Sequence, residues 1–79
     1  ALNLANNRIE NKGAEYLSKA NFPLLTLLNL ENNSIEDAGA DCFAKTNLCM
    51  LTTLNLRKNN IGPLERKIFQ NNARLKVLF

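Results

Sequence analysis

Residues 25–35 read LTLLNLENNSI, and the same pattern returns at residues 51–61 as LTTLNLRKNNI. The last eight positions of this stretch also appear near the start, as LNLANNRI at 2–9. The windows 2–27 and 28–53 are identical at 13 of 26 positions. A fixed period predicts a repeat architecture, in which stacked units share one core. The 79 residues divide into three units of one domain, 2–27, 28–53 and 54–79.

The amino-acid composition excludes several classes of catalytic and metal-binding site. Leucine and asparagine together make up more than a third of the chain, and histidine is absent. Catalysis by serine–histidine or cysteine–histidine pairs and histidine-ligated metal sites are thereby excluded, and two cysteines are too few for a zinc cluster or a disulfide framework. No apolar run approaches the ~18 residues of a transmembrane helix. We predict a protein that is not an enzyme, uses no cofactor or metal, and engages neither a small-molecule substrate nor a membrane.

Each unit is predicted to form a strand, a turn and a helix. The segment Leu28-Asn29-Leu30 alternates with period two, which places both leucines on one strand face. Asn11 and Asp37 are predicted to be the N-caps of the first two helices, and Pro63 the first residue of the third. The predicted strands lie near 2–5, 28–31 and 54–57, and the predicted helices near 12–20, 38–46 and 63–72.

The string Leu25-x-x-Leu28-x-Leu30-x-x-Asn33-x-Ile35, repeated from Leu51, resembles the leucine-rich-repeat signature L-x-x-L-x-L-x-x-N-x-L. This resemblance covers essentially the whole chain. It implies an α/β fold, a right-handed solenoid of three strand–turn–helix units with a short parallel sheet on its concave side. The unit length and the Gly-Ala pairs at 13–14 and 39–40 resemble the helical, ribonuclease-inhibitor-like subclass.

Stacking aligns equivalent residues of successive units into columns that together form a continuous core. The predicted apolar columns are Leu4, Leu30 and Leu56; Ile9, Ile35 and Ile61; Tyr16, Cys42 and Ile68; Leu17, Phe43 and Phe69; and Leu25, Leu51 and Val77.

The motif asparagines Asn7, Asn33 and Asn59 follow the strands, where the chain turns inward and leaves backbone groups without ladder partners. A side-chain amide carries both donors and an acceptor, so it can bond its own turn and the neighbouring one. We predict a structural ladder of amides.

The third unit departs from the pattern, since Glu65 and Arg66 replace the small pair Gly39-Ala40. We expect the third helix to be shifted, rotated or longer. The chain stops at residues 77–79, Val-Leu-Phe, just before the next Leu-x-Leu would fall, which favours a piece of a longer solenoid over a polar cap. Because both end units expose apolar columns, we expect marginal stability or self-association through the uncapped ends.

Strand residues that face away from the core line the concave surface, where solenoids usually bind. The column Asn3, Asn29 and Asn55 has no role in the Leu-x-Leu core and is a candidate recognition stripe, although inheritance by duplication also explains it. Glu31 and Arg57 are expected to pair. The candidate partner-binding residues are Asn3, Asn6, Asn29, Glu31, Asn32, Asn55, Arg57 and Lys58.

Charge is uneven along the chain. Residues 1–56 carry four basic and six acidic side chains, for a net charge of −2. Residues 57–79 carry six basic side chains and one acidic side chain, for a net charge of +5, so the whole chain has a net charge of +3. A basic end suits an acidic partner or nucleic acid, but no nucleic-acid motif is present and the aromatic residues are assigned to core columns, so nucleic acid is not expected.

We therefore predict a non-catalytic protein–protein interaction module. The alternatives are a regulator of an enzyme, in the style of GTPase-activating proteins or of ribonuclease inhibitor, and the targeting repeats of a bacterial effector whose catalysis lies elsewhere. Cys42 and Cys49 align with mostly apolar positions and are predicted to be buried free thiols, which favours a reducing compartment. The expected location is the cytoplasm, or a host cytoplasm if the protein is delivered by a pathogen.

Overall fold

A computed structural model of the chain describes residues 1–20, 22–45, 48, 50–71 and 74–79. Strands and helices alternate in chain order, and the four strands form one parallel sheet in the order β1-β2-β3-β4. The predicted α/β solenoid is confirmed. The elements are β1 Leu2–Asn3, α1 Glu10–Ser18, β2 Leu27–Asn29, α2 Asp37–Ala44, β3 Thr53–Asn55, α3 Pro63–Gln70 and β4 Lys76–Leu78.

The register of the first three strands keeps the period of the sequence. Leu2 pairs with Leu28, and Leu28 pairs with Leu54. Because side chains alternate along a strand, every second residue of each strand enters the core and the intervening ones face away from it. The period thus stacks leucine on leucine and asparagine on asparagine.

The fourth strand lies earlier than predicted. Val77 pairs with Leu54, whereas the next strand was expected after Phe79. The connection after α3 is therefore three residues shorter than its counterparts after α1 and α2. Val77 consequently continues the column of Leu28 and Leu54, and not that of Leu25 and Leu51 as predicted.

The core lies between the sheet and the helices. Leu30, Ile35 and Ala40 are completely buried, and Phe43 and Phe69 are nearly so. The predicted column of Tyr16, Cys42 and Ile68 is wrong, since Tyr16 is 66% and Ile68 49% exposed. The side of a helix that faces the core is formed by residues three or four positions apart, such as the buried Ala40 and Phe43. Tyr16 and Ile68 lie on the opposite side of their helices and therefore face outward.

Both predicted side-chain N-caps are wrong. The residues at the cap positions are Ile9 and Glu36, and neither makes a side-chain capping bond. Asn11 lies inside α1 and Asp37 is the first residue of α2. The third helix begins as predicted, with Pro63 following Gly62.

Candidate functional site

The turns that follow the strands are held by the motif asparagines. Asn33 is completely buried, and its Oδ1 accepts hydrogen bonds from the backbone N–H groups of Asn7 (2.8 Å) and Ile9 (3.2 Å). Its Nδ2 donates to the carbonyls of Leu4 (2.9 Å) and Glu31 (3.2 Å). One side chain thus bonds its own turn and that of the preceding unit.

Asn59 repeats this arrangement one unit further on. Its Oδ1 accepts from the N–H groups of Asn33 and Ile35, both at 2.9 Å, and its Nδ2 donates to the carbonyl of Leu30 at 2.9 Å. Asn7, at the exposed end of the stack, donates to the carbonyls of Leu4 and Ala5. Because these amides satisfy backbone groups, their chemistry serves the fold rather than a ligand.

The sheet supplies the candidate binding surface, which we call the concave face. The strand register aligns two rows of side chains across it, Leu27, Thr53 and Lys76, and Asn3, Asn29, Asn55 and Leu78. The sequence period continues these rows past the strand ends as Ala5, Glu31 and Arg57, and as Asn6, Asn32 and Lys58, where the Asn6 N–H donates to the Glu31 carbonyl and the Asn32 N–H to the Arg57 carbonyl. All eight predicted partner-binding residues lie on these rows. Sequence reasoning missed Leu27, which is 40% exposed, and Lys76, because the fourth strand was expected elsewhere.

The asparagine column of the concave face has a local structural role as well. The Oδ1 atoms of Asn3, Asn29 and Asn55 accept hydrogen bonds from the N–H groups two residues on, at 3.0 to 3.1 Å. Of the three, Asn3 at the edge is exposed, and Asn29 and Asn55 are half-buried. The column therefore fixes the ends of the strands, which the Leu-x-Leu pattern alone did not reveal.

The expected pair of Glu31 with Arg57 is not formed. Glu31 instead accepts from Asn55 Nδ2 at 3.3 Å and lies 3.9 Å from Lys58 Nζ. Within the described ranges, the exposed Arg57 guanidinium makes no hydrogen bond or ion pair. Asn32 Nδ2 donates to Asn6 Oδ1 at 2.7 Å, which links the two neighbouring units.

Asn11 and Asp37 cap the helix of the following unit rather than their own. Asn11 Oδ1 accepts from the N–H groups of Glu36 (2.8 Å) and Gly39 (3.0 Å), at the start of α2. Asp37 Oδ1 accepts from the N–H of Gly62, at the start of α3, at 2.7 Å. In the third unit the equivalent residue is Pro63, whose side chain has no acceptor atom and so cannot cap a following helix in this way.

The carboxyl group of Glu65 is buried at the interface between α2 and α3. Its Oε2 has no hydrogen-bond partner among the described residues. Burial, with Asp41 close by, raises the pKa of Glu65, while the Lys45 ammonium lowers the pKa of Asp41. The expectation of a longer third helix is wrong, since α3 and α2 both span eight residues and begin and end at equivalent positions. The departure lies in the packing: α3 packs less extensively on α2 than α1 does, and the Arg66 guanidinium lies 5.2 Å from the centre of the Phe79 ring.

We predict that Glu65→Gln stabilises the chain by about 1 kcal/mol near neutral pH, because it removes a buried charge facing Asp41. The raised pKa means that the protonated form of Glu65 favours the folded state, and that this contribution is lost as pH rises through the folded-state pKa. The advantage of the variant should therefore shrink toward about pH 4. Urea unfolding at both pH values tests this; an advantage independent of pH would contradict it.

Cys42 is a half-buried free thiol whose Sγ donates to the Ala38 carbonyl at 3.4 Å, while Cys49 lies outside the described residues. Among the residues that the structure describes, no three metal-ligating side chains cluster, and no helix is long and apolar enough to cross a bilayer.

Comparison with known proteins gives the family. The family described as Leucine Rich repeat matches residues 1–18, 23–44 and 47–64, one segment for each unit. No curated protein matches the chain. The matched segments cover most of the sequence and each contains a strand, its turn and the helix or helix start that follows it. The chain therefore belongs to the leucine-rich-repeat family, as its sequence pattern predicted.

Proposed function

We propose that the chain is a non-catalytic module that binds a protein partner through the concave face. Leucine-rich repeats generally mediate protein–protein interaction. The observation that carries the proposal is Arg57, an exposed side chain at the end of β3 that has no partner within the described part of the chain. Its backbone N–H is held by Asn55 Oδ1, so a rigid turn presents a free guanidinium. Such a group is suited to bidentate contact with a carboxylate.

Lys58 supports the same surface. Its φ is +58°, and the equivalent Asn6 and Asn32 have φ of +65° and +58°. Asparagine tolerates this left-handed region better than lysine does. Lys58 therefore occupies a position where its side chain is unfavourable for the fold, and residues held at such a cost are often functional.

The ribonuclease-inhibitor-like subclass and a cytoplasmic location belong to this proposal. The constant spacing of β1 to β3 and a helix in each unit support the subclass, although β4 follows three residues early. The free thiol of Cys42 supports a reducing compartment.

Photo-crosslinking tests which face is used. A photoreactive phenylalanine analogue replaces Leu27, on the concave face, or Leu64, which is 77% exposed on α3. Both substitutions exchange one exposed leucine, so they are matched. In extract from the source cells, we expect a discrete protein adduct from position 27 and none from position 64. An adduct from position 64 alone would move the binding surface to the helices.

A further inference from the structure

The two faces of the solenoid carry different charges. Of the seven acidic side chains, six lie on the helices or at their first turn: Glu10, Glu15, Glu36, Asp37, Asp41 and Glu65. The concave face holds one acid, Glu31, which already bonds Asn55 and lies near Lys58. The same face holds Arg57, Lys58 and Lys76 on or beside β3 and β4. The net positive charge of the face is thus concentrated at its β3–β4 side.

The register sets the spacing of Lys76 and Arg57, the two concave-face cations that have no acidic partner among the residues that the structure describes. Lys76 pairs with Thr53, and Arg57 lies four residues beyond Thr53. Arg57 lies in the turn just after β3. At about 3.3 Å per residue of extended chain, Lys76 and Arg57 therefore stand at most ~13 Å apart along the strand direction. Leu78 pairs with Asn55 and lies half-buried between them.

From this spacing we propose that the partner is an acidic protein segment in extended conformation, with two carboxylates four residues apart and an apolar residue midway. An extended chain places residues i, i+2 and i+4 on one side over the same ~13 Å. The carboxylates would meet Lys76 and Arg57, and the apolar side chain would contact Leu78. This inference rests on the proposed function, since it names the chemistry of the partner for the same face.

A nucleic acid is the other class of polyanion that a basic surface attracts. Single-stranded nucleic acids are usually bound with aromatic side chains that stack on bases. The five aromatic residues, Tyr16, Phe22, Phe43, Phe69 and Phe79, all lie off the concave rows. Phe79, the one nearest β4, instead packs against Phe69 with ring centroids 5.9 Å apart. The concave face thus offers cations and a leucine, which suits an acidic peptide.

The probe is a synthetic peptide, Ser-Asp-Ser-Leu-Ser-Asp-Ser with blocked ends, titrated into the isotope-labelled chain at low salt. We expect amide shift changes that concentrate on β3, β4 and Arg57. The double variant Arg57→Glu/Lys76→Glu should weaken binding at least about tenfold, because both attractions become repulsions. The control Lys12→Glu/Lys67→Glu makes the same change of four charge units on exposed helix positions and should weaken it less than about twofold.

The inference would be overturned by absent binding of the peptide, by equal weakening in both double variants, by equal binding of a peptide with lysine in place of aspartate, or by tighter binding of a single-stranded oligonucleotide of the same charge. Arg57→Gln/Lys76→Gln, which removes the attraction without adding repulsion, should reproduce part of the loss. If the peptide fails while the adduct from position 27 still forms, the concave face binds a partner of another chemistry. If no adduct forms from position 27 either, both the proposed function and this inference are wrong.

Discussion

Replacing Asn33 with alanine is expected to destabilise the chain by about 2–4 kcal/mol, because each buried polar group left unsatisfied costs about 1–3 kcal/mol. The truncation leaves the N–H groups of Asn7 and Ile9 without their acceptor and removes a donor to the Leu4 carbonyl. Since a small domain is marginally stable, the variant should lose most of its folded population. Urea unfolding followed by circular dichroism measures the loss.

Asn7→Ala is the matched control. Asn7 occupies the same position of the first unit but is exposed, and within the described part of the chain its amide bonds only the carbonyls of Leu4 and Ala5. Water can replace those bonds, so a loss below about 1 kcal/mol is expected. Equal losses of unfolding free energy in the two variants would show that burial of the asparagine side chain does not determine how much it stabilises the chain.

Gly39→Ala is expected to cost about 2 kcal/mol, despite the higher helix propensity of alanine. A Cβ at this position would lie 2.6 Å from Asn11 Oδ1 and 3.0 Å from both Asn11 Cα and Ile35 Cγ2. The methyl group would displace the Asn11 side chain and with it the bonds that cap α2. Thermal or urea unfolding of the single variant gives the cost.

A double-mutant cycle with Asn11→Ala identifies the cause. Loss of the cap alone should cost about 1 kcal/mol. Because Asn11 is the group that the new methyl displaces, Gly39→Ala should cost less when Asn11 is already alanine. Strict additivity would contradict the displacement. Gly13→Ala is the comparison in the first unit, where the Cβ meets the half-buried Ile9 side chain and no capping group.

Much of the fold could be predicted from the sequence because the signals were local and repeated. The alternation of Leu28-Asn29-Leu30 defines a strand, and its recurrence at a constant period implies parallel stacking. Some predictions were wrong where the signal was not repeated, and others, such as the N-caps at Asn11 and Asp37, were wrong at positions that do repeat. The shorter connection before β4 leaves no mark in the alignment of the units, and the outward side of the helices could not be assigned from column positions alone.

The candidate site was predicted only in outline. Alternation placed Asn29, Glu31 and Arg57 on the concave face. It could not show that Asn29 bonds the N–H of Glu31, or that Glu31 lies near Lys58 instead of pairing with Arg57. Side chains on neighbouring strands have several partners within reach, and small differences in backbone geometry select among them.

The amino-acid sequence was sufficient to identify a leucine-rich-repeat solenoid, because period, alternation and turn asparagines are properties of residues close together in the chain. Which side chains connect the units became visible only in the folded chain. Asn11 reaches Gly39, and Asp37 reaches Gly62, across 28 and 25 residues. The burial of Glu65 next to Asp41, a residue of the preceding unit, is likewise visible only in the folded chain. Such contacts depend on the distance and rotation between stacked units, which the packing of the whole core sets.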